Sequence, residues 1–261
     1  MDLYRRLIDE IADTAPHTEV WPTFYGEAFV LGYRLFYMLE YAKRRGLTNL
    51  VLNTNGTRFD AEVAEWVIDS GLDLVMFSLD GFSTPVFEAI RAGAKRDQVF
   101  RNVELLVEIK ARRRSATPKV EVQYSVMDEN EHEADAFREY WLARGVHVKI
   151  RERFTWTGAV TASNLDASVR RIACPWALRT CAIHWNGDVV ACAVDYDGRY
   201  VAGSVAERTI ADVWRTDHAR LRAQHLAHEF DRLPQPCHDC LDWQVAGGAV
   251  HYSPKAEGPS A

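Results

Sequence analysis

The sequence predicts a parallel α/β fold, barrel-like or doubly wound, followed by a small α+β unit rich in cysteine. Three observations predict it. Helix-period and strand-period segments alternate through residues 2–150 in units of about 25–35 residues. The intervening strands are apolar on both faces, as strands covered on both sides must be. All five cysteines lie beyond residue 173, where apolar runs shorten and turn signals multiply.

The elements follow in order. Residues 2–14 read as a helix with Leu3, Leu7, Ile8 and Ile11 on one stripe. A strand is expected from Thr18 to Tyr25, then a helix from Ala28 to Arg45 with Gly46 as its terminator. Asn49–Asn53 is a short apolar strand, residues 60–70 a helix, and Leu72–Leu79 a strand. A helix over 98–113, a strand over 120–126, a helix over 131–144 and a strand over 146–150 complete the first unit. Trp156-Thr-Gly158 and Ser163 to Ser168 read as a linker. Short strands at 180–185 and 188–194 flank an Asn186-Gly187 turn. Thr209 and Asp212 form a capping box opening a helix to about His228. The expected boundaries are 1–155, 165–245 and a flexible tail at 246–261.

At 261 residues and 48% hydrophobic content the chain can bury a sizeable core. A net charge of −6 and a pI near 5.9 exclude nucleic-acid binding by bulk electrostatics. The basic run from Lys110 to Arg114 reads as a solvated helix end. No apolar run reaches the length of a membrane span, and the N-terminus opens an amphipathic helix rather than a targeting signal. With no export signal for its thiols, the chain is expected in the cytoplasm.

Polar residues gather where strands end: Gly26-Glu27, Thr54-Asn55-Gly56, Ser78 with Asp80, Gln123 with Ser125, and Arg151 with Arg153. In parallel α/β folds that edge is where ligands bind. Four cysteines carry metal-ligand spacing: Cys174-x12-Gly187-x4-Cys192, then Cys237-x2-Cys240. Zinc and an iron–sulfur cluster both accept four thiolates, so ligand count leaves both open. Buried free thiols and a disulfide are the weaker readings. Cys181 reads as a packed strand thiol, and His184 and His238 as hairpin and turn residues that also have ligand chemistry.

Several segments together resemble the radical S-adenosylmethionine (radical SAM) superfamily, in its branch with a C-terminal SPASM or shorter twitch domain. They are Gly26-Glu27, with Ala28 where proline is usual, Thr54-Asn55-Gly56-Thr57, Phe77-Ser78-Leu79-Asp80-Gly81, Ile90-Arg91-x-Gly93 and the cysteine pattern. The resemblance implies a partial (β/α) barrel of parallel strands lacking its first strand. It implies S-adenosylmethionine as cosubstrate, met by Gly26, Glu27, Asn55, Ser78, Gln123 and Ser125. It implies one auxiliary [4Fe–4S] cluster on Cys174, Cys192, Cys237 and Cys240. The implied partners are a peptide, sugar or related small-molecule substrate, near Arg151 and Arg153, and an electron donor such as flavodoxin or ferredoxin.

One departure governs the reading. The family's reductive chemistry needs a second cluster on a Cys-x3-Cys-x2-Cys motif, and no cysteine precedes Cys174. Either the chain is a shortened form of an active enzyme, missing roughly 30–50 residues, or it is a degenerate, non-catalytic, metal-stabilised binding or scaffold relative. The intact Glu27 and Ser78 edge favours the first. Pro22, which blunts an exposed strand edge, favours the second. A zinc-binding α/β protein without redox chemistry is the third reading.

Overall fold

The computed structural model describes residues 1–255; the last six residues of the expected tail lie outside the described residues. The chain divides into two compact units, one of Ile11–Arg151 with the segment from Val250, the other of Met1–Glu10 with Glu152–Ala249.

Helix α1 (Asp2–Thr14) opens the chain. The strand expected at Thr18–Tyr25 is reduced to one parallel bridge, Val20 to Leu50. Val20 N donates to Asn49 O at 2.9 Å and Val51 N to Val20 O at 3.0 Å. Pro22 accounts for the shortfall: it has no N–H to donate, so a ladder cannot run past it. A 3-10 turn at Ala28–Leu31 leads into α2 (Tyr33–Arg44), and Gly46 follows in the left-handed conformation at φ 91°.

There follow β1 (Val51–Thr54), α3 (Ala61–Asp69), β2 (Leu74–Ser78), α4 (Thr84–Ile90), α5 (Arg96–Arg113), β3 (Lys119–Val126), α6 (Ala134–Leu142) and β4 (His147–Glu152). β1 and β2 pair parallel with Thr54 opposite Phe77, and β2 and β3 pair parallel with Ser78 opposite Gln123. β4 lies beside β3. Side chains alternate along each strand. Asn53, Ser78, Gln123 and Ser125 therefore share one face. Leu52, Phe77, Val122 and Tyr124 share the other, and all four are fully buried. Trp141, Phe137 and Phe100 extend that apolar layer through one tilted and one edge-on ring contact.

The turn after β2 is closely packed. A Cβ built on Gly81 would stand 2.6 Å from Phe87 Cα and 2.8 Å from Phe87 N. Phe87 is fully buried and cannot retreat. Gly81→Ala is expected to cost about 1–3 kcal/mol, read as a lower urea midpoint at unchanged slope.

In the second unit come α7 (Pro175–Arg179), β5 (Ala182–Ile183), β6 (Asp188–Val190), β7 (Val201–Ser204), α8 (Ile210–Arg215) and α9 (Asp217–Leu226). β5, β6 and β7 form an antiparallel sheet, with Gly187 at φ 95° in the β5–β6 turn. Thr209 Oγ1 accepts from Asp212 N at 3.0 Å, as a capping residue should. The single helix expected to run to His228 breaks at Thr216, whose ψ of −82° departs from the helix.

The first ten residues group with this unit for a physical reason. Leu3 and Leu7 pack on Val189, Val205 and Val213. Glu10 accepts from Ile210 N and Ala211 N, both at 2.8 Å, filling orphan donors of α8.

Strand β8 (Val250–Tyr252) returns to β4 and pairs antiparallel, Val148 opposite Tyr252. These residues were expected in a frayed tail. Their β-branched and aromatic side chains suit a strand. His251 Nδ1 lies 3.1 Å from Glu121 Oε2, and Arg138 stands 5.2 Å over the Tyr252 ring. No described helix is long and apolar enough to cross a membrane.

Candidate functional site

The strand ends of β1, β2 and β3 bring five of the six expected cosubstrate residues into one hydrogen-bonded edge. Glu27 precedes the 3-10 turn, and its carboxylate ties that turn to the end of β1. Oε1 accepts from Phe29 N at 3.1 Å and Thr54 Oγ1 at 2.8 Å, and Oε2 accepts from Asn55 N at 2.7 Å. A carboxylate has about four acceptor positions, so one remains on Oε2. Gly26, the sixth, is exposed at φ 74° and makes the turn that turns Glu27 inward. Asn55 spends its side-chain oxygen locally, accepting from Thr57 N at 2.9 Å and Thr57 Oγ1 at 2.7 Å.

Ser78 Oγ donates to Asn53 Oδ1 at 2.7 Å on the shared face. Gln123, directly opposite Ser78, is buried. Ser125 is buried too, and its hydroxyl has no hydrogen-bond partner among the described residues. A buried hydroxyl without a partner costs free energy.

Asp80 holds the edge in shape. It sits at φ 55°, a conformation that aspartate tolerates better than most residues. Its Oδ1 accepts from Ser125 N at 2.6 Å, its Oδ2 pairs with Arg91, and its carbonyl accepts from Asn130 Nδ2 at 2.8 Å. Asn130 also donates to Ser125 O at 2.9 Å and accepts from Met127 N at 2.7 Å. Asp80 was legible as a strand-end residue. Asn53 reads as a strand end and Arg91 as part of the Ile90-Arg91-x-Gly93 segment, but not as partners of Ser78 and Asp80; Asn130 was not named, because its partner Asp80 is distant in sequence.

The second unit gathers the cysteines. Cys174 starts α7, Cys192 follows β6, and Cys237 and Cys240 lie on the turn after α9. All four line one small cavity with Arg171, Ala191, His225 and Asp242. Burial pushes all four thiols up, Cys237 to about 12. Backbone N–H groups oppose this at three of them: Ala177 and Trp176 at Cys174, Val194 and Asp195 at Cys192, and Asp242 at Cys240. Asp242 N is 3.3 Å from Cys240 Sγ. Left alone, such sulfurs keep their protons; a metal that displaces those protons is stabilised by the same N–H groups.

Two donors on the cavity wall lack partners. His225, 1% exposed, has Nδ1 3.4 Å from Cys174 N and so accepts there. Its proton belongs on Nε2, which is buried and unpaired, as is Arg171 Nε. The Arg171 Nη atoms hold the carbonyls of Cys237 at 2.5 Å and His238 at 2.7 Å. Asp242, 1% exposed, accepts from Thr155 Oγ1 and Thr157 N, both at 2.9 Å, pinning a turn in which Trp156 and Thr157 take positive φ. The sequence reading named none of these three.

Cys181 lies elsewhere, packed against the cluster of Val189, Val205 and Val213, and burial raises its thiol to about 11. His238 pairs with Asp239, and neither it nor His184 lines the cysteine cavity. Arg151 is in the last turn of the β4 ladder, and Arg153 is the first residue after Glu152 closes it; both are half-buried. Among the described residues no three His, Cys, Asp or Glu side chains converge closely enough to hold a single metal ion.

Comparison with known proteins adds the following. A family model described as the radical SAM superfamily matches residues 3–140, and one described as an iron–sulfur cluster-binding domain, SPASM, matches residues 174–241. No curated protein matches the chain. The crystal structure of BtrN in complex with AdoMet and 2-DOIA is similar, with a TM-score of 0.60 at 16% identity over 92% of this chain and 78% of that one. Native anSMEcpe with bound AdoMet gives 0.63 at 12% identity over 95% and 79%. The same protein with AdoMet and the Cp18Cys peptide gives 0.62 at 14% over 95% and 80%.

Proposed function

The chain belongs to the radical SAM superfamily, and from that premise we propose that it binds S-adenosylmethionine at the β1–β3 edge and carries one [4Fe–4S] cluster on Cys174, Cys192, Cys237 and Cys240. Membership supports an activity of the radical SAM type. The observation that carries the reading is that four cysteines from three separate segments line a single cavity. The match of residues 174–241 to an iron–sulfur cluster-binding family model favours a cluster over zinc, which four thiolates would also accept.

Bound there, the cluster supplies one-electron transfer to or from a substrate. The chain's own part is to hold it. Backbone N–H groups would stabilise the thiolates, and His225 Nε2 and Arg171 Nε, which have no partner among the described residues, would be free to donate to its sulfurs. At the strand edge, Glu27 has one acceptor position left for the cosubstrate's ammonium group, and Ser125 Oγ and the Gln123 amide offer hydrogen bonds to its ribose and carboxylate. The neighbouring structures hold a small molecule, 2-DOIA, or a peptide. A small-molecule or peptide substrate is the matching proposal here, with Arg151 and Arg153 as contacts for an anionic or polyhydroxylated one. A flavodoxin or ferredoxin would serve as electron donor.

Homolysis of the cosubstrate needs a Cys-x3-Cys-x2-Cys cluster, and these 261 residues offer no cysteine before Cys174. The polypeptide as given is therefore expected to bind S-adenosylmethionine and to release no 5′-deoxyadenosine above background under reducing conditions. Calorimetry checks the binding. Glu27→Gln should weaken it about tenfold, the worth of one charge-assisted hydrogen bond, and Ser125→Ala by a smaller factor without loss of stability. Clear turnover, or affinity indifferent to both substitutions, would overturn the reading.

A further inference from the structure

We propose that the other end of the parallel sheet carries a second ligand site, for a small molecule with two or more adjacent negative charges, such as a phosphate ester. A cavity of about 400 Å³ lies where β3 and β4 begin, beside the last turn of α5. That is a ligand-sized volume. Lys110, Arg114, Lys119 and His147 line it, and no carboxylate does.

The pairing pattern of the surrounding cations separates these residues from an ordinary basic surface. This acidic chain, at −6, gives neighbouring arginines carboxylate partners. Arg101 meets Glu108 at 2.6 Å, Arg112 meets Glu65 at 2.8 Å, Arg113 meets Glu65 and Asp69, and Arg144 meets Glu104 at 3.1 Å. The cavity's own cations are treated differently. Among the described residues Lys110 Nζ reaches the Ala116 carbonyl, at 3.5 Å, and enters no recorded ion pair. Arg114 takes part in no ion pair recorded among the described residues. Lys119 lies 3.3 Å from Glu121, a carboxylate it shares with His251.

The helix dipole favours cations at the end of α5. That explains Lys110, Arg112 and Arg113. It does not explain Lys119 and His147, which come from two strand starts. Nor does it explain Arg114 at φ 51°, ψ 37°, the cap position where glycine is usual. His147 Nδ1 is buried without a partner. Burial holds both His147 and Lys110 below their ordinary pKa values, and Lys119 and Lys110 lower His147 further, against an upward pull from Glu121. Lys110, Arg114 and His147 thus have no ion pair recorded among the described residues, and Lys119 has only a carboxylate it shares with His251; a bound dianion supplies the missing negative charge. Adjacent phosphoryl oxygens can meet a guanidinium and two ammonium groups at once. Bulk attraction to an acidic protein is weak, so the site selects by local geometry.

Titration calorimetry of the intact chain with inorganic pyrophosphate tests this. The expected result is saturable binding of one ligand per chain, weakened at least tenfold by Lys110→Gln and by Arg114→Asn, which keeps a residue tolerant of the left-handed cap. Arg112→Gln, on the paired outer face, should leave it unchanged. ADP in place of pyrophosphate separates two sources: tighter binding means a nucleotide, equal binding means phosphate groups alone. Absence of saturation up to about 10 mM, an affinity too weak for specific recognition, or equal weakening by Arg112→Gln, overturns the proposal. Neither result touches the reading of the strand edge or the cysteines.

Discussion

Cys192→Ser is expected to strip the reconstituted chain of nearly all its iron and to lower the melting temperature of the cysteine-bearing unit by more than about 10 °C, as the loss of a few kcal/mol does in a domain of this size. Anaerobic reconstitution with iron and sulfide should load about four irons on the unaltered chain, and iron and sulfide assays with a thermal melt read the difference. Cys174→Ser, Cys237→Ser and Cys240→Ser should behave alike. Cys181→Ser should keep the full load, because Cys181 packs against Val189, Val205 and Val213 and does not line the cavity. The effect is large for a stated reason. This unit's regular elements are short, β5 having two residues and α7 five, so its local structure alone is weak. A centre that cross-links three segments constrains the unfolded chain as well as the folded one. If zinc alone restored the melting temperature and iron loading stayed below one atom per chain, the cluster assignment would fall.

The alternation of helix and strand was legible because both periodicities are strong in segments buried on two sides. Strand ends were legible for the same reason: once β1, β2 and β3 were placed, Asn55, Ser78 and Gln123 had to sit at one edge. What escaped depended on long-range partners. Asp80 and Asn130 lie fifty residues apart and Thr155 and Asp242 eighty-seven, so neither pairing leaves a local pattern. Glu10 caps a helix two hundred residues away, which no window over the first helix can reveal. α4 escaped because seven residues with Pro85 in the first turn look like a loop. Thr18–Tyr25 erred in the other direction. Its aromatic and β-branched residues read as a strand, while Pro22 allowed only the bridge at Val20.

Asp80→Ala is the second large effect, expected at about 3–5 kcal/mol. The substitution removes the partner of a largely buried guanidinium, with Arg91 27% and Asp80 10% exposed at the side chain. Arg91 Nε already lacks a partner, so no second acceptor stands ready to take the charge. The substitution also strands Ser125 N and places alanine at φ 55°, where aspartate is better tolerated. Asp80→Asn should cost less, about 1–2 kcal/mol, because an amide oxygen still accepts from Ser125 N while the paired charge is lost. Urea unfolding followed by tryptophan fluorescence gives both values. The comparison reaches beyond stability. Asp80 meets the proposed cosubstrate residues only at their backbone, at Ser125 N and Gln123 O, and ties the turn after β2 to β3 through Ser125 and Asn130. Under conditions where Asp80→Asn remains folded, S-adenosylmethionine affinity should therefore fall along with Ser125→Ala rather than with Glu27→Gln, since what is lost is the placement of the Ser125 hydroxyl and not the charge that meets the ammonium. Equal stability in the Asp80→Ala and Asp80→Asn proteins would show that the Arg91 pair is not what holds the edge.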